Sequence, residues 1–220
     1  MDFMRNLPDK CIDLVLTDPP YGLKIDGARQ NFTPAKRKQW RRAHDFKNWD
    51  SCAPEDFVFR EIHRVAKNVI LFGANYFCDK LQSGYKGWMV WDKGQYGLTM
   101  SDGELIYSTF SHPLRIIQCN KIELNKDGVI HPTQKPLKLI TEILKEHTKT
   151  GNIVFDPFSG SGTTAIACHN LGLDFICVEK DPDYHAASVA RLKKHRQQMF
   201  LPFDLHEVSD GAKQADLFCM

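Results

Sequence analysis

The sequence predicts an α/β protein on a doubly wound, parallel-rich sheet. Three observations carry that expectation. Short apolar runs alternate with amphipathic stretches through most of the chain, the pattern of strands joined by crossover helices. Two of these runs end in marked turns, Asp18-Pro19-Pro20-Tyr21 and Asp156–Thr164, and in open α/β sheets ligands sit beyond the carboxyl ends of the strands. The 220 residues are 42% hydrophobic and 25% charged, which supports one sizeable core and excludes wholesale disorder.

Taken in order, residues 12–17 (Ile-Asp-Leu-Val-Leu-Thr) read as a buried strand that two prolines stop abruptly. Residues 24–49 are polar and aperiodic, with eight basic residues against two acids, and read as a long, mobile loop, of a length that is usually functional or disordered. Residues 54–67 read as a helix: Pro54 suits its first turn, Glu55 and Asp56 its dipole, and Val58, Ile62, Val65 and Ala66 share a face. A buried strand follows at 68–72, then a short helix at 75–82. Strands are expected at 88–92, 104–110 and 114–119, and a helix starting at Pro136 with Leu137, Ile140 and Leu144 in one stripe. Strand 152–155, a helix from the glycine turn to about 171, strand 174–178 and a helix at about 182–198 complete the pattern. One domain, 1–198, results, with 199–220 as an acidic, loosely docked tail.

Composition excludes several classes. Apolar runs such as Val69-Ile70-Leu71-Phe72 are far too short to cross a bilayer. Met1-Asp2-Phe3-Met4-Arg5 lacks the apolar stretch of a signal peptide. Seven scattered cysteines without CxxC spacing and nine histidines without paired spacing argue against a disulfide framework and against metal, and fit a reducing, cytoplasmic setting. The net charge of +2 is too small to imply nucleic acid by itself. Its concentration in 24–49 is the informative feature, with Arg29, Lys36, Arg37, Lys38, Arg41 and Arg42 as phosphate contacts and Phe32 and Trp40 as stacking or wedge residues.

The turn at 156–164 is a strand, an acid, two glycines one residue apart, then a helix. Such a loop lets a ligand approach the backbone. No lysine follows Gly162, against a phosphate-cradling Walker loop, and Ala165 stands where a dinucleotide fold wants a third glycine. The next strand ends in Glu179, placed to accept hydrogen bonds from ribose hydroxyls. Loop and acid together point to an adenosine-containing ligand.

In the turn at 18–21 the prolines remove two N–H donors and fix the backbone. What remains is an acceptor array, the Asp18 carboxylate and nearby carbonyls, beside the flat face of Tyr21. That suits a planar ring bearing an amino group.

Asp18-Pro19-Pro20-Tyr21, His131-Pro132-Thr133-Gln134-Lys135-Pro136 and Asp156-Pro157-Phe158-Ser159-Gly160-Ser161-Gly162-Thr163-Thr164 occur in that order. In these residues the chain resembles the S-adenosylmethionine-dependent DNA amino-methyltransferases of the permuted beta group, in which DPPY precedes FxGxG. Residues 11–22 and 68–199 carry the resemblance. It implies a Rossmann-like fold with a mixed seven-stranded sheet and circularly permuted motif order. It implies that Asp18, Pro19, Pro20 and Tyr21 hold a flipped base. Cofactor residues would be Asp156, Phe158, Ser159, Gly160, Gly162, Thr163, Thr164 and Glu179, with Lys135 and Thr133 near the methionine carboxylate. Duplex DNA is the implied partner, with a homodimer and a cognate restriction enzyme as further ones.

Two features depart from the family. A strand usual before residue 11, ending in an acid toward the cofactor adenine, has no counterpart after Met1, so the expected sheet lacks it. The usual recognition stretch is short, at about 120–130. Asp18 favours adenine N6 over cytosine N4, where serine is commoner. RNA and protein-glutamine methylation fit the motif order poorly. A silent DNA-binding relative is the rival from another class.

Overall fold

The computed structural model describes residues 2–23, 50–97, 101–120, 129–131, 133–199 and 216–219. The basic segment 24–49, with the six expected DNA contacts, and most of 120–130 lie outside the described residues.

Among the described residues, eight strands form one mixed sheet. In chain order they are β1 (Ile12–Thr17), β2 (Ala66–Phe72), β3 (Met89–Asp92), β4 (Gly103–Ser108), β5 (Arg115–Gln118), β6 (Ile153–Asp156), β7 (Asp174–Val178) and β8 (Asp216–Cys219). Their order across the sheet is β5-β3-β4-β2-β1-β6-β7-β8. From β2 through β8 neighbours are parallel, and β4 is antiparallel to both β2 and β3. The helices are α1 (Asp2–Arg5), α2 (Asp56–Val65), α3 (Leu137–His147), α4 (Thr163–Leu171) and α5 (Pro182–Met199).

The count is one more than seven because the stretch expected to be a loose tail supplies β8, parallel to β7 with Phe175 opposite Asp216. Two other expectations need correction. The helix expected at 75–82 is two short 3-10 turns, Ala74–Tyr76 and Cys78–Lys80; Gly73 at φ 68° redirects the chain as it leaves β2. The boundary between α2 and β2 lies at Ala66, with no linker. The Lys10 ammonium accounts for that abrupt change, donating to the carbonyls of His63 (2.7 Å) and Ala66 (2.8 Å) at the helix end.

The sheet separates two cores. On one side Leu14, Leu16, Ile70, Phe72 and Val154 meet Leu139, Ile140, Ile143 and Leu144 of α3 and Ala165, Ile166 and Cys168 of α4. On the other Val15, Val69, Leu71 and Phe155 meet Val58, Phe59, Ile62 and Val65 of α2. The alternation is the period-2 consequence of pleating. β1 is apolar on both faces because it pairs with β2 on one side and β6 on the other.

This topology creates the site. From β1 the chain passes through α2 to β2 in one direction; from β6 it passes through α4 to β7 in the other, on the opposite face. β1 and β6 are neighbours, so the sheet's switch point lies between their carboxyl ends, where a crevice opens. Among the described residues no helix is long and apolar enough to cross a membrane.

Candidate active site

Asp156 ends β6 and is 4% exposed. Thr17, the last residue of β1, donates its hydroxyl to Oδ1 at 2.6 Å; the Thr164 hydroxyl donates to Oδ2 at 2.6 Å, and the Phe158 N–H to Oδ1 at 3.1 Å. The carboxylate therefore ties two strand ends to the first turn of α4. Burial pushes its pKa up to about 6 against these bonds. Its acceptors are spent on the scaffold.

The glycine turn is held from β7 and α5. Ser159 N–H donates to the Val178 carbonyl at 2.9 Å, and Gly160 N–H to Glu179 Oε2 at 2.8 Å. Gly160 (φ 50°) and Gly162 (φ 71°) are both left-handed. Their surroundings differ. A Cβ at Gly162 would stand 2.9 Å from Ser188 Cβ of α5, whereas at Gly160 the nearest atoms, in His131, are 3.7 Å away. Gly162 serves helix packing; a Cβ at Gly160 would only make ordinary contact with the His131 ring. Arg191 of α5 braces the turn, donating to the Ser161 carbonyl and the Thr163 hydroxyl, each at 3.0 Å.

Glu179 follows β7. Its Oε1 accepts the Asp181 N–H at 2.8 Å, and Asp181 caps α5 through the N–H groups of Asp183 and Tyr184. Each Glu179 oxygen thus takes a backbone donor, and with a further backbone bond from Lys180 one lone pair of the carboxylate is left. Burial raises its pKa.

Across the crevice, Asp18 follows β1. Tyr21 donates its hydroxyl to Asp18 Oδ1 at 2.5 Å, and the Lys135 ammonium, from just before α3, pairs with Oδ2. Burial and the neighbouring charge of Glu104 raise the Asp18 carboxyl, while Lys135 pulls it down. Glu104 is on β4, with Oε2 at 3.1 Å from the Tyr21 hydroxyl and 3.5 Å from the Lys135 nitrogen, and Oε1 at 2.7 Å from Lys93. Two acids and two lysines make a buried, charge-balanced set. Burial works against the charge on Lys135, but Asp18 and Glu104 outweigh it and hold its pKa above the ordinary lysine value.

The structure brings together most of the residues singled out from sequence. Asp18, Pro19, Pro20, Tyr21, Thr133, Lys135, Asp156, Phe158, Ser159, Gly160, Thr163, Thr164 and Glu179 line one crevice of about 540 Å³. Gly162 stands against α5 instead. Lys135 directs its ammonium at Asp18, and the Tyr21 ring is stacked on Tyr76 with centroids 4.6 Å apart. Thr133 bonds His131 Nδ1 through its own N–H and hydroxyl.

Sequence reasoning missed Glu104, Lys93, Gly73, Tyr76, Asp50 and Arg191. A Cβ at Gly73 would fall 2.1 Å from the Tyr21 ring, so this glycine makes room for the tyrosine. Asp50, 1% exposed, accepts the Gly22 N–H at 2.8 Å and fixes the chain leaving the proline turn. Glu104 left a readable signal: in Gly-Glu-Leu-Ile-Tyr-Ser the strand period puts it on the same face as Ile106, and a buried acid on a core face requires a partner.

Comparison with known families now decides the assignment. The family model described as DNA methylase, of the N6/N4 type, matches residues 79–190. The chain belongs to that family. The match takes in Glu104, Lys135, the glycine turn and Glu179, and begins after the proline turn. The chain is 24% identical over 238 residues to the type II methyltransferase M.HinfI of Haemophilus influenzae, covering 87% of this chain and 66% of that protein. To the type II methyltransferase M2.DpnII of Streptococcus pneumoniae it is 39% identical over 67 residues, 30% of this chain and 25% of that one. It therefore spans just under two thirds of the first relative and a quarter of the second. The solved structures share the fold. The M1.HpyAVI–SAM complex has a TM-score of 0.55 at 24% identity, covering 86% of this chain and 92% of that one. A modification methylase of Thermus thermophilus complexed with S-adenosyl-L-methionine gives 0.54 at 19%, covering 88% and 92%. The cytosine-N4-specific PvuII DNA methyltransferase gives 0.54 at 16%, covering 88% and 86%. The DNA methylase fold in this chain therefore carries its two marked turns at the switch point of the sheet.

Proposed function

We propose that this methylase transfers a methyl group from S-adenosylmethionine to the exocyclic N6 of adenine in duplex DNA, after the base has left the stack. One observation carries the reading: the Asp18 carboxylate and the glycine turn line the same crevice, keyed together by the Thr17–Asp156 hydrogen bond of 2.6 Å.

The residues fit the cofactor. The crevice volume of about 540 Å³ lies within the ~300–1,000 Å³ range of small-molecule sites. Glu179 keeps acceptor capacity on its oxygens for ribose hydroxyls. Gly160, Phe158, Ser159, Thr133 and Thr163 line the wall. When bound, S-adenosylmethionine supplies an electrophilic methyl carbon on a sulfonium.

The chain's own residues do the rest. A flipped base reaches the crevice at a cost of a few kcal/mol. Asp18 and the Pro19 carbonyl accept the N–H bonds of its amino group, drawing the nitrogen lone pair out of conjugation and aiming it for in-line displacement. Positioning and electrostatics supply the rate. Asp18 need not be a strong base, because the nitrogen becomes acidic as it is methylated. Arg29, Lys36, Arg37, Lys38, Arg41 and Arg42 contact phosphates in this reading.

The test is a nucleoside analysis. The protein is incubated with unmethylated genomic DNA and S-adenosylmethionine, and the digest resolved by mass. N6-methyldeoxyadenosine is expected. N4-methyldeoxycytidine would keep the mechanism and change the base. No product, with no cofactor bound in calorimetry, would leave a silent DNA-binding relative.

A further inference from the structure

Asp18 accepts one hydrogen bond on each carboxylate oxygen: Oδ1 from the Tyr21 hydroxyl and Oδ2 from the Lys135 ammonium. An amino group that is to be held by Asp18 must displace or share with one of them. Tyr21 carries a single O–H hydrogen, yet two carboxylates lie within reach of it, Asp18 Oδ1 at 2.5 Å and Glu104 Oε2 at 3.1 Å. Lys135 also faces both, with Glu104 Oε2 at 3.5 Å. Glu104 and Lys135 are each 8% exposed and Lys93 is 4% exposed, so the second acceptor is itself a buried carboxylate. Turning the Tyr21 hydroxyl from Asp18 to Glu104 requires rotation about one C–O bond and no movement of the ring, which Tyr76 and Gly73 hold in place.

Resting on the methyltransferase reading, we infer that Glu104 is a positioning residue. It receives the Tyr21 hydroxyl and takes a larger share of the Lys135 ammonium when the target amino group engages Asp18. Lys93, 2.7 Å from Oε1, orients Glu104 for that exchange. Without Glu104, releasing Asp18 would strand a buried hydroxyl.

The titratable groups around Asp18 come from every element that meets there: Asp156 from β6, Tyr21 from the proline turn, Lys135 ahead of α3, Glu104 from β4 and, behind it, Lys93 after β3. Glu104 is the near negative charge that opposes ionisation of Asp18. Neutralising it moves the acid limb of the rate profile to lower pH; neutralising Lys93 moves it to higher pH.

The experiment measures kcat against pH for the full chain at saturating DNA and S-adenosylmethionine, with Glu104→Gln, Tyr21→Phe and the double variant, alongside cofactor affinity and Tm. Glu104→Gln should lower kcat roughly 10- to 100-fold, leave cofactor affinity within a few-fold, and shift the acid limb down. Its effect should largely vanish in the Tyr21→Phe background, where no hydroxyl needs the second acceptor. Wild-type kcat in Glu104→Gln, effects that multiply independently with Tyr21→Phe, or a uniform loss with lowered Tm and an unmoved limb would each overturn the inference. Should Glu104→Gln fail to fold, Lys93→Gln carries the test: a limb shifted upward supports it and an unmoved limb overturns it. A wild-type chain that transfers no methyl group would bring down the methyltransferase reading and this one with it; an active wild type beside an indifferent Glu104→Gln would bring down this one alone.

Discussion

The Lys135 ammonium closes on the Asp18 carboxylate, joining the end of β1 to the residue two places ahead of α3, 117 positions along the chain. Both side chains are largely buried, at 8% and 18% exposure. The pair connects the proline turn to the segment that leads into the glycine turn, so neither half of the crevice is set independently of the other.

Asp18→Ala removes the acceptor proposed to hold the target amino group. Methyl transfer should fall by about 10²- to 10⁴-fold, while cofactor affinity stays near that of the wild type, because the glycine turn and Glu179 do not bond to Asp18. Single-turnover methylation beside calorimetric titration checks both. Transfer within a few-fold of wild type would remove Asp18 from its role.

The two glycines of the turn should separate in a mutational test. Gly162→Ala meets both a left-handed backbone (φ 71°) and Ser188 Cβ at 2.9 Å, and should cost about 2–4 kcal/mol of stability. Gly160→Ala has the backbone strain (φ 50°) but 3.7 Å of clearance. It should cost about 1–2 kcal/mol and weaken cofactor binding, since its Cβ is added to the crevice wall. Urea unfolding and calorimetry read the two effects; equal stability losses would show that Ser188 yields.

Thr17→Val deletes one donor to Asp156 and should destabilise by about 1–3 kcal/mol. The loss should depend on pH. The folded Asp156 carboxyl keeps its proton up to about pH 6, against an ordinary value of 3.8. Between these values the folded state binds more protons, so this group's contribution to stability falls as pH rises. The missing hydroxyl is then felt most above pH 6, where the carboxylate is charged. A penalty equal at about pH 4.5 and about pH 7.5 would count against this role for Thr17.

His63 acts with the opposite sign. It lies between Tyr85 and Tyr107, and burial lowers its pKa from 6.5 to about 4. The unfolded chain binds more protons between pH 4 and 6.5, so stability is lost as pH falls through that window. His63→Phe, which keeps an aromatic ring there, should flatten that acid-side decline in Tm. A decline of unchanged slope would assign it to other groups.

Arg37, Arg41 and Arg42 lie in the basic segment outside the described residues. Reversing all three charges should weaken DNA binding and reduce the slope of log K against log salt by about 0.9 for each phosphate left unneutralised. An unchanged slope would remove this segment from the interface.

The sequence by itself determined the sheet's alternation with helices, the two turns at strand ends, and hence the crevice between them. These features are local: strand period, proline stops and glycine conformation act within a few residues. Tertiary structure decided what each acceptor is used for. Asp156 looks like a ligand acid in the sequence, but Thr17 and Thr164 engage it as scaffold. Lys135 looks like a cofactor residue, yet its ammonium goes to Asp18. Glu104 reads as one acid in a strand, and only the pairing of β4 beside β2 and β3 brings it to Tyr21 and Lys135. Likewise β8 gains its place by pairing with β7. The physical reason is common to all four. A carboxylate, an ammonium or a strand edge is completed by whatever partner the chain brings near, and that partner is set by packing across the whole sheet rather than by neighbours in sequence.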